Sequence, residues 1–254
     1  MSRSASSLEA LDPSQAHTFL KPTKKIHEGQ DVPQFLMSKA YKDITTFIMQ
    51  LNGSMYPRIV QGDDSRQRKA EVWELDSPLV TYSDTVKSLR ELLGRFGAIV
   101  EEAPPDTGPR RFGNVSFRKW YFIVETRIPE LLKAYLPARV LAFGGKSSEG
   151  VRANDELEAY LLGSFGSPQR LDYGTGHELS FVAFLACVWK LGGFGHENDG
   201  VEERGIVLGL IEPYVYSNAI LPIVLGVRSY PCLIVGVAAQ VSAACPPPDH
   251  DLHS

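Results

Sequence analysis

The stretch RLDYGTGHELSF, residues 170–181, sets an arginine, an aspartate, two glycines, a histidine and a glutamate against an apolar run. Gly174 and Gly176 allow backbone angles that other residues resist, so this segment can turn sharply and expose its amides. Amides at a turn, followed by the start of a helix, make an anion site. Arg170 would add a positive charge there and Thr175 a hydroxyl. Asp172 would accept hydrogen bonds from the loop itself or help to position a substrate. A local role stays open beside this one, because Thr175 and Glu178 have the S/T-x-x-E spacing of a capping box.

Other chemistry-bearing motifs fail on spacing. FGGKSS, residues 143–148, resembles the end of a phosphate-binding P-loop, but position 140, where the motif needs its first glycine, is Val140. It reads as a surface loop. A zinc-protease helix would need a second histidine three residues after each His-Glu pair, and those positions hold Asp31, Phe181 and Gly200. No metal site is expected. Cys187 lies in the middle of an apolar run and reads as packing, and no G-x-S-x-G nucleophile elbow occurs.

The elements that must position residues 170–178 read as helices. Phe35, Leu36, Tyr41, Ile44, Phe47, Ile48 and Leu51 fall on one helical face that ends near Asn52-Gly53. Val86, Leu89, Leu92, Leu93 and Phe96 do the same, with Gly94 and Gly97 weakening that helix. Trp120, Tyr121, Val124, Ile128, Leu131, Leu132 and Tyr135 keep the period, although Pro129 is expected to kink the helix or begin a new one. NDELEAYLLGSFG starts with Asn154 as a helix cap. HELSFVAFLACVWKLGGFG is apolar all round and reads as a central buried helix, and VEERGIVLGLIEPY as a further one. No hairpin signal and no strand–helix alternation appears, so the fold class is all-α. EEAPPDTGPRRFGN, rich in Pro, Gly and charge, is a loop between helical blocks.

The chain's 254 residues suffice for a sizeable core, and a net charge of −4 gives no basic footprint for nucleic acid. Cys187, Cys232 and Cys245 are too few and too unevenly spaced for a disulfide framework or a zinc site, which suits a reducing compartment. The apolar stretches AILPIVLGV and CLIVGVAAQVSAAC are split by RSYP, so a membrane span is not expected. Residues 1–21 are expected to be a disordered lead-in.

LLGSFGSPQRLDYGTGHELSFVAFL resembles the signature of the phosphotyrosyl phosphatase activators, the PTPA family of protein phosphatase 2A activators, in a fungal-like form. RRFGNVSFRKWY, residues 110–121, and the helices around FLMSKAYKDITTFIMQLN are similar to the same family. The resemblance spans roughly residues 22–214. It implies an all-α fold with core, linker and lid regions around a cleft. It also implies peptidyl-prolyl cis-trans isomerase activity and, with ATP and Mg2+, activation of the catalytic subunit of phosphatase 2A-like enzymes. Peptide-induced homodimerisation and a cytoplasmic, or also nuclear, location belong to the same expectation. By the resemblance, Arg170, Thr175 and Gly176 would lie at the nucleotide phosphates, and Asp172, Tyr173, Gly174 and His177 would build the catalytic loop at the cleft. Phe112, Gly113, Arg118 and Trp120 would serve as its scaffold.

Such a site has modest chemistry to do. An X-Pro bond is held by a barrier of about 18–20 kcal/mol from amide resonance. Twisting it takes no nucleophile, only an apolar cleft and donors that favour the twisted form. Beyond Tyr214 the likeness stops. Residues 215–254 form an atypical tail, and the family's C-terminal half, with its magnesium contribution and the rest of its nucleotide and peptide sites, is expected to be missing or replaced. Two consequences follow: apolar surface exposed on FVAFLACVWKL, and a chain that acts as a non-catalytic phosphatase-binding module or inactive isoform if it does not turn over peptide.

Overall fold

The computed structural model describes residues 7–61, 68–75, 77–108, 114–144, 150–195 and 200–216. Among them helices dominate, as the apolar periodicity requires. α1 (Val32–Leu36) and α2 (Lys39–Ser54) divide the first predicted helix in two. Ser38 makes the break: its hydroxyl accepts from the Tyr41 amide at 3.1 Å and so caps a new helix. A small antiparallel hairpin follows, β1 (Arg58–Gln61) against β2 (Arg68–Glu71), with Arg58 opposite Glu71. It corrects the expectation of no hairpin. Only four residues contribute to each strand, too few for a period-2 pattern to stand out.

α3 (Asp84–Ala98) starts on Ser83 and runs past Gly94 and Gly97, burying Val86, Leu89, Leu92 and Phe96. α4 (Ser116–Tyr135) buries Phe117, Trp120, Val124, Ile128 and Leu132 and stays one helix through Pro129. The packed stripe on either side of Pro129 holds the helix together where one backbone donor is lost. α5 (Ala138–Leu141) and α6 (Ala153–Gly163) follow. Arg152, not Asn154, stands at the N-cap of α6, and Asp155 returns its carboxylate to the Arg152 amide at 2.7 Å. α7 (Thr175–Lys190) buries Phe181 through Ala186 without a gap, then Val188 and Trp189. α8 (Val201–Ile206) passes through a π-helical stretch (Val207–Ile211) into α9 (Glu212–Tyr216).

α7 packs on α6 and α2, and α4 on α3 and α6, so α7 lies in the middle of one continuous apolar core. The expected apolar exposure of FVAFLACVWKL is therefore not found. The segment read as a disordered lead-in is one reason. Among its described residues Leu8 and Phe19 are buried, the Leu8 amide donates to Gln50 Oε1 at 2.8 Å, and the Trp189 indole donates to the Leu8 carbonyl at 2.8 Å. Residues 8–20 form a strap over the C-terminal end of α7. Two apolar anchors eleven residues apart give no period, which is why the strap looks like linker in the sequence. Among the described residues, no helix is long and apolar enough to cross a membrane. Most of the tail, residues 217–254, lies outside the described residues.

Candidate functional site

The polar loop joins α6 to α7 and is braced from below. Gly166 has φ +111°, and a Cβ there would stand 2.9 Å from the Asp172 carbonyl oxygen and 3.4 Å from the Phe117 ring. Only glycine fits both the angle and the space. The turn closes with the Ser167 amide donating to the Asp172 carbonyl at 3.0 Å and the Leu171 amide to the Ser167 carbonyl at 2.8 Å. Leu171 takes φ +55°, an uncommon angle for a branched side chain, held by these bonds. Arg118 of α4 reaches across and donates to the Pro168 carbonyl at 2.9 Å and the Gln169 carbonyl at 3.4 Å.

The inner wall is a chain of rings. The Tyr214 hydroxyl donates to the Ser164 carbonyl at 2.6 Å, which leaves its oxygen to accept from the Tyr173 hydroxyl at 3.0 Å. Tyr214 also stacks on Phe181 with centroids 3.8 Å apart, and burial pushes its phenol well above the usual range. Tyr173 stacks on His177, whose Nδ1 donates to the Gly163 carbonyl at 2.7 Å. A neutral His177 therefore carries its proton on Nδ1 and keeps Nε2 as an acceptor.

The outer rim is exposed. Arg170 Nε donates to Asp172 Oδ2 at 2.6 Å, and both side chains face solvent. Gly174, Thr175 and Gly176 are exposed, and the N-cap residue Gly174 has no side chain with which to cap the first turn of α7. Gly174 is the N-cap, so Thr175 is already the first helical residue and the capping-box reading of Thr175 and Glu178 fails by one position.

Of the residues singled out in the sequence, the fold brings Arg170, Asp172, Gly174, Thr175 and Gly176 to one exposed rim and turns Tyr173 and His177 inward. Arg118 and Trp120 do sit beneath the loop: Trp120 is fully buried and its indole donates to the Phe96 carbonyl at 3.1 Å. Phe112 and Gly113 lie outside the described residues. Sequence reasoning missed Gly166, Ser164 and Tyr214. The Gly-Ser-Pro run after Phe165 was the one available signal for a tight turn. It also missed Asn114, buried at the start of α4, whose Oδ1 accepts from the amides of Ser116 at 3.0 Å and Asp106 at 3.1 Å. Among the described residues, no cluster of three His, Cys, Asp or Glu side chains could hold a metal ion.

The family model described as "Phosphotyrosyl phosphate activator (PTPA) protein" matches residues 22–221. The chain belongs to the PTPA family. It is 53% identical over 209 residues to the serine/threonine-protein phosphatase 2A activator 1 of Aspergillus fumigatus, and 54% identical over 209 residues to that of Emericella nidulans. Each match covers 82% of this chain but only 43% and 47% of the relative, so the chain spans less than half the length of these PTPA proteins. The crystal structure of the PP2A phosphatase activator Ypa1 superposes with a TM-score of 0.61 at 29% identity, covering 86% of this chain and 61% of that one. The helical fold is therefore that of a PTPA protein.

Proposed function

We propose that this chain is an activator of protein phosphatase 2A-like enzymes that engages the phosphatase catalytic subunit through the rim of residues 170–176. The observation that carries this reading is the brace. Arg118, Gly166 and the tyrosine pair hold the loop in one shape, so Asp172 and the amides at the start of α7 face outward at no further ordering cost. The curated relatives that share this segment are named as phosphatase 2A activators.

The finer reading is peptidyl-prolyl isomerisation assisted by ATP and Mg2+. For a nucleotide phosphate the rim is a partial fit. The first-turn amides of Thr175 and Gly176 suit an anion, while Arg170 is already paired with Asp172 and would have to be shared. Arg170, Thr175 and Gly176 would hold the phosphate, whose binding would add charge and order at the rim. For the prolyl bond, Asp172 would orient the peptide, and Tyr173 and His177 would keep the loop rigid beneath it.

A second reading, a phosphatase-binding module without turnover, is favoured by the pairing of Arg170 with Asp172, which occupies both charged groups that turnover would use. Binding and activation of a phosphatase 2A catalytic subunit, with ATP and Mg2+ present, are measured beside protease-coupled isomerisation of a proline peptide. Loss of both activities in Asp172→Ala with an unchanged melt supports the full proposal. Binding without turnover selects the module. A cooperatively folded chain that does neither overturns both.

A further inference from the structure

At the other end of α7 a pocket of about 250 Å3 lies under the strap, between α2, α6 and α7. Its floor is apolar, from Leu11, Phe19, Leu157 and Leu191. Cys187 adds sulfur rather than a nucleophile, because burial pushes its thiol up to about 12. Charge of both signs stands around this floor. Lys39 and Lys190 each donate one hydrogen bond to Asp43, which leaves each ammonium two further donors. Glu156 faces them from α6, with one oxygen accepting from the Leu20 amide of the strap at 3.1 Å. Burial raises its carboxyl pKa against the pull of the Leu20 amide and Lys190, as for a carboxylate short of partners.

The walls are built in advance. The Leu11 amide donates to the Lys190 carbonyl at 2.7 Å, and the Trp189 indole holds Leu8, so the strap keeps its place over the floor. The volume falls below the roughly 300–1,000 Å3 of drug-sized sites, so the ligand has few heavy atoms. A lone carboxylate would meet Glu156 as well as the lysines, and a lone amine would meet the lysines as well as Glu156. Only a ligand carrying both charges on an apolar body satisfies both walls.

We propose that the pocket under the strap binds a free apolar α-amino acid of leucine to phenylalanine size, with its carboxylate toward Lys39 and Lys190, its ammonium toward Glu156 and its side chain on the floor. The site is separate from the phosphatase-facing rim and does not depend on it.

Calorimetric titration of the whole chain tests this with L-leucine and L-phenylalanine against two single-charge probes, 3-phenylpropionate and phenethylamine. The amino acids bind, and each probe is weaker by at least about tenfold, the worth of one charge-assisted hydrogen bond. Glu156→Gln removes the preference over 3-phenylpropionate, Lys39→Met lowers the preference over phenethylamine, and Ala153→Leu, which narrows the pocket, weakens all four. A probe that binds as tightly as the amino acids overturns the proposal, and so does absence of binding by either amino acid. Because the probe comparison uses the unaltered chain, it decides the matter even if a variant fails to fold.

Discussion

The two ends of α7 solve opposite problems with the same apolar helix. At its N-terminus the helix starts on a glycine without a capping side chain, and the loop before it is held by backbone carbonyls: Pro168 and Gln169 accept from Arg118, while Gly163 at the end of α6 accepts from His177. Side chains at the rim are thereby left facing out. At its C-terminus the strap closes over Trp189, and Lys190 enters an ion cluster with Asp43 and Lys39. One end is rigid and exposed, the other covered and pocketed. Holding a loop by its main chain frees its side chains to meet a partner, whereas holding a strap by buried side chains leaves a cavity beneath it.

The largest effect is expected from Trp189→Ala at the covered end. It removes a buried indole and the strap's hydrogen bond, for a loss of about 3–5 kcal/mol in chemical unfolding and faster proteolysis within residues 8–20. If proteolysis instead begins in residues 166–176, the separation of the two ends is wrong. Gly166→Val at the exposed end comes next. The positive φ and the 2.9 Å approach to the Asp172 carbonyl predict a loss of about 1–3 kcal/mol. Phosphatase binding should fall further than that loss explains, while the strap keeps its protection.

Arg118→Ala takes two donors from the loop and is expected to cost about 1–3 kcal/mol. Amide exchange should quicken at residues 167–172 and stay unchanged at residues 8–11; equal quickening at both would merge the two regions. At the covered end, burial works to raise the Asp43 carboxyl, but Lys190 and Lys39 outweigh it and hold the pKa below the usual range. A lowered folded value means that Asp43's contribution is complete above its unfolded pKa of about 3.9 and is lost as pH falls through the folded one. Asp43→Asn should therefore be less stable at neutral pH and flatter below pH 4 in acid unfolding, and an unchanged acid limb would remove the ion cluster from the account. The smallest effect belongs to Arg170→Ala, whose pair with Asp172 is open to solvent and screened by it. Its melt should match the parent while phosphatase activation changes.

Most helices were legible because a buried face repeats every three or four residues, as Val86, Leu89, Leu92 and Phe96 do in α3. The loop was legible as a unit because Gly174, Gly176 and their polar neighbours stand out before an apolar run. Its brace was not. Arg118 meets Pro168 fifty residues away, and Tyr214 meets Ser164 at the same separation, so no local pattern joins them. The strap was misread for a related reason, since the partners of Leu8 and Phe19 lie far off in sequence: Leu8 meets Gln50 and Trp189, and Phe19 meets Phe143.

The sequence by itself determined the helical class, the apolar centre of α7 and the family, because local periodicity and a long run of matching residues survive without coordinates. Tertiary structure alone decided which loop residues face out, that Arg170 pairs with Asp172, and that residues 8–20 cover a pocket edged by Glu156 and Lys190. Those outcomes rest on contacts between distant segments, and a contact is fixed only when packing has chosen which surfaces meet.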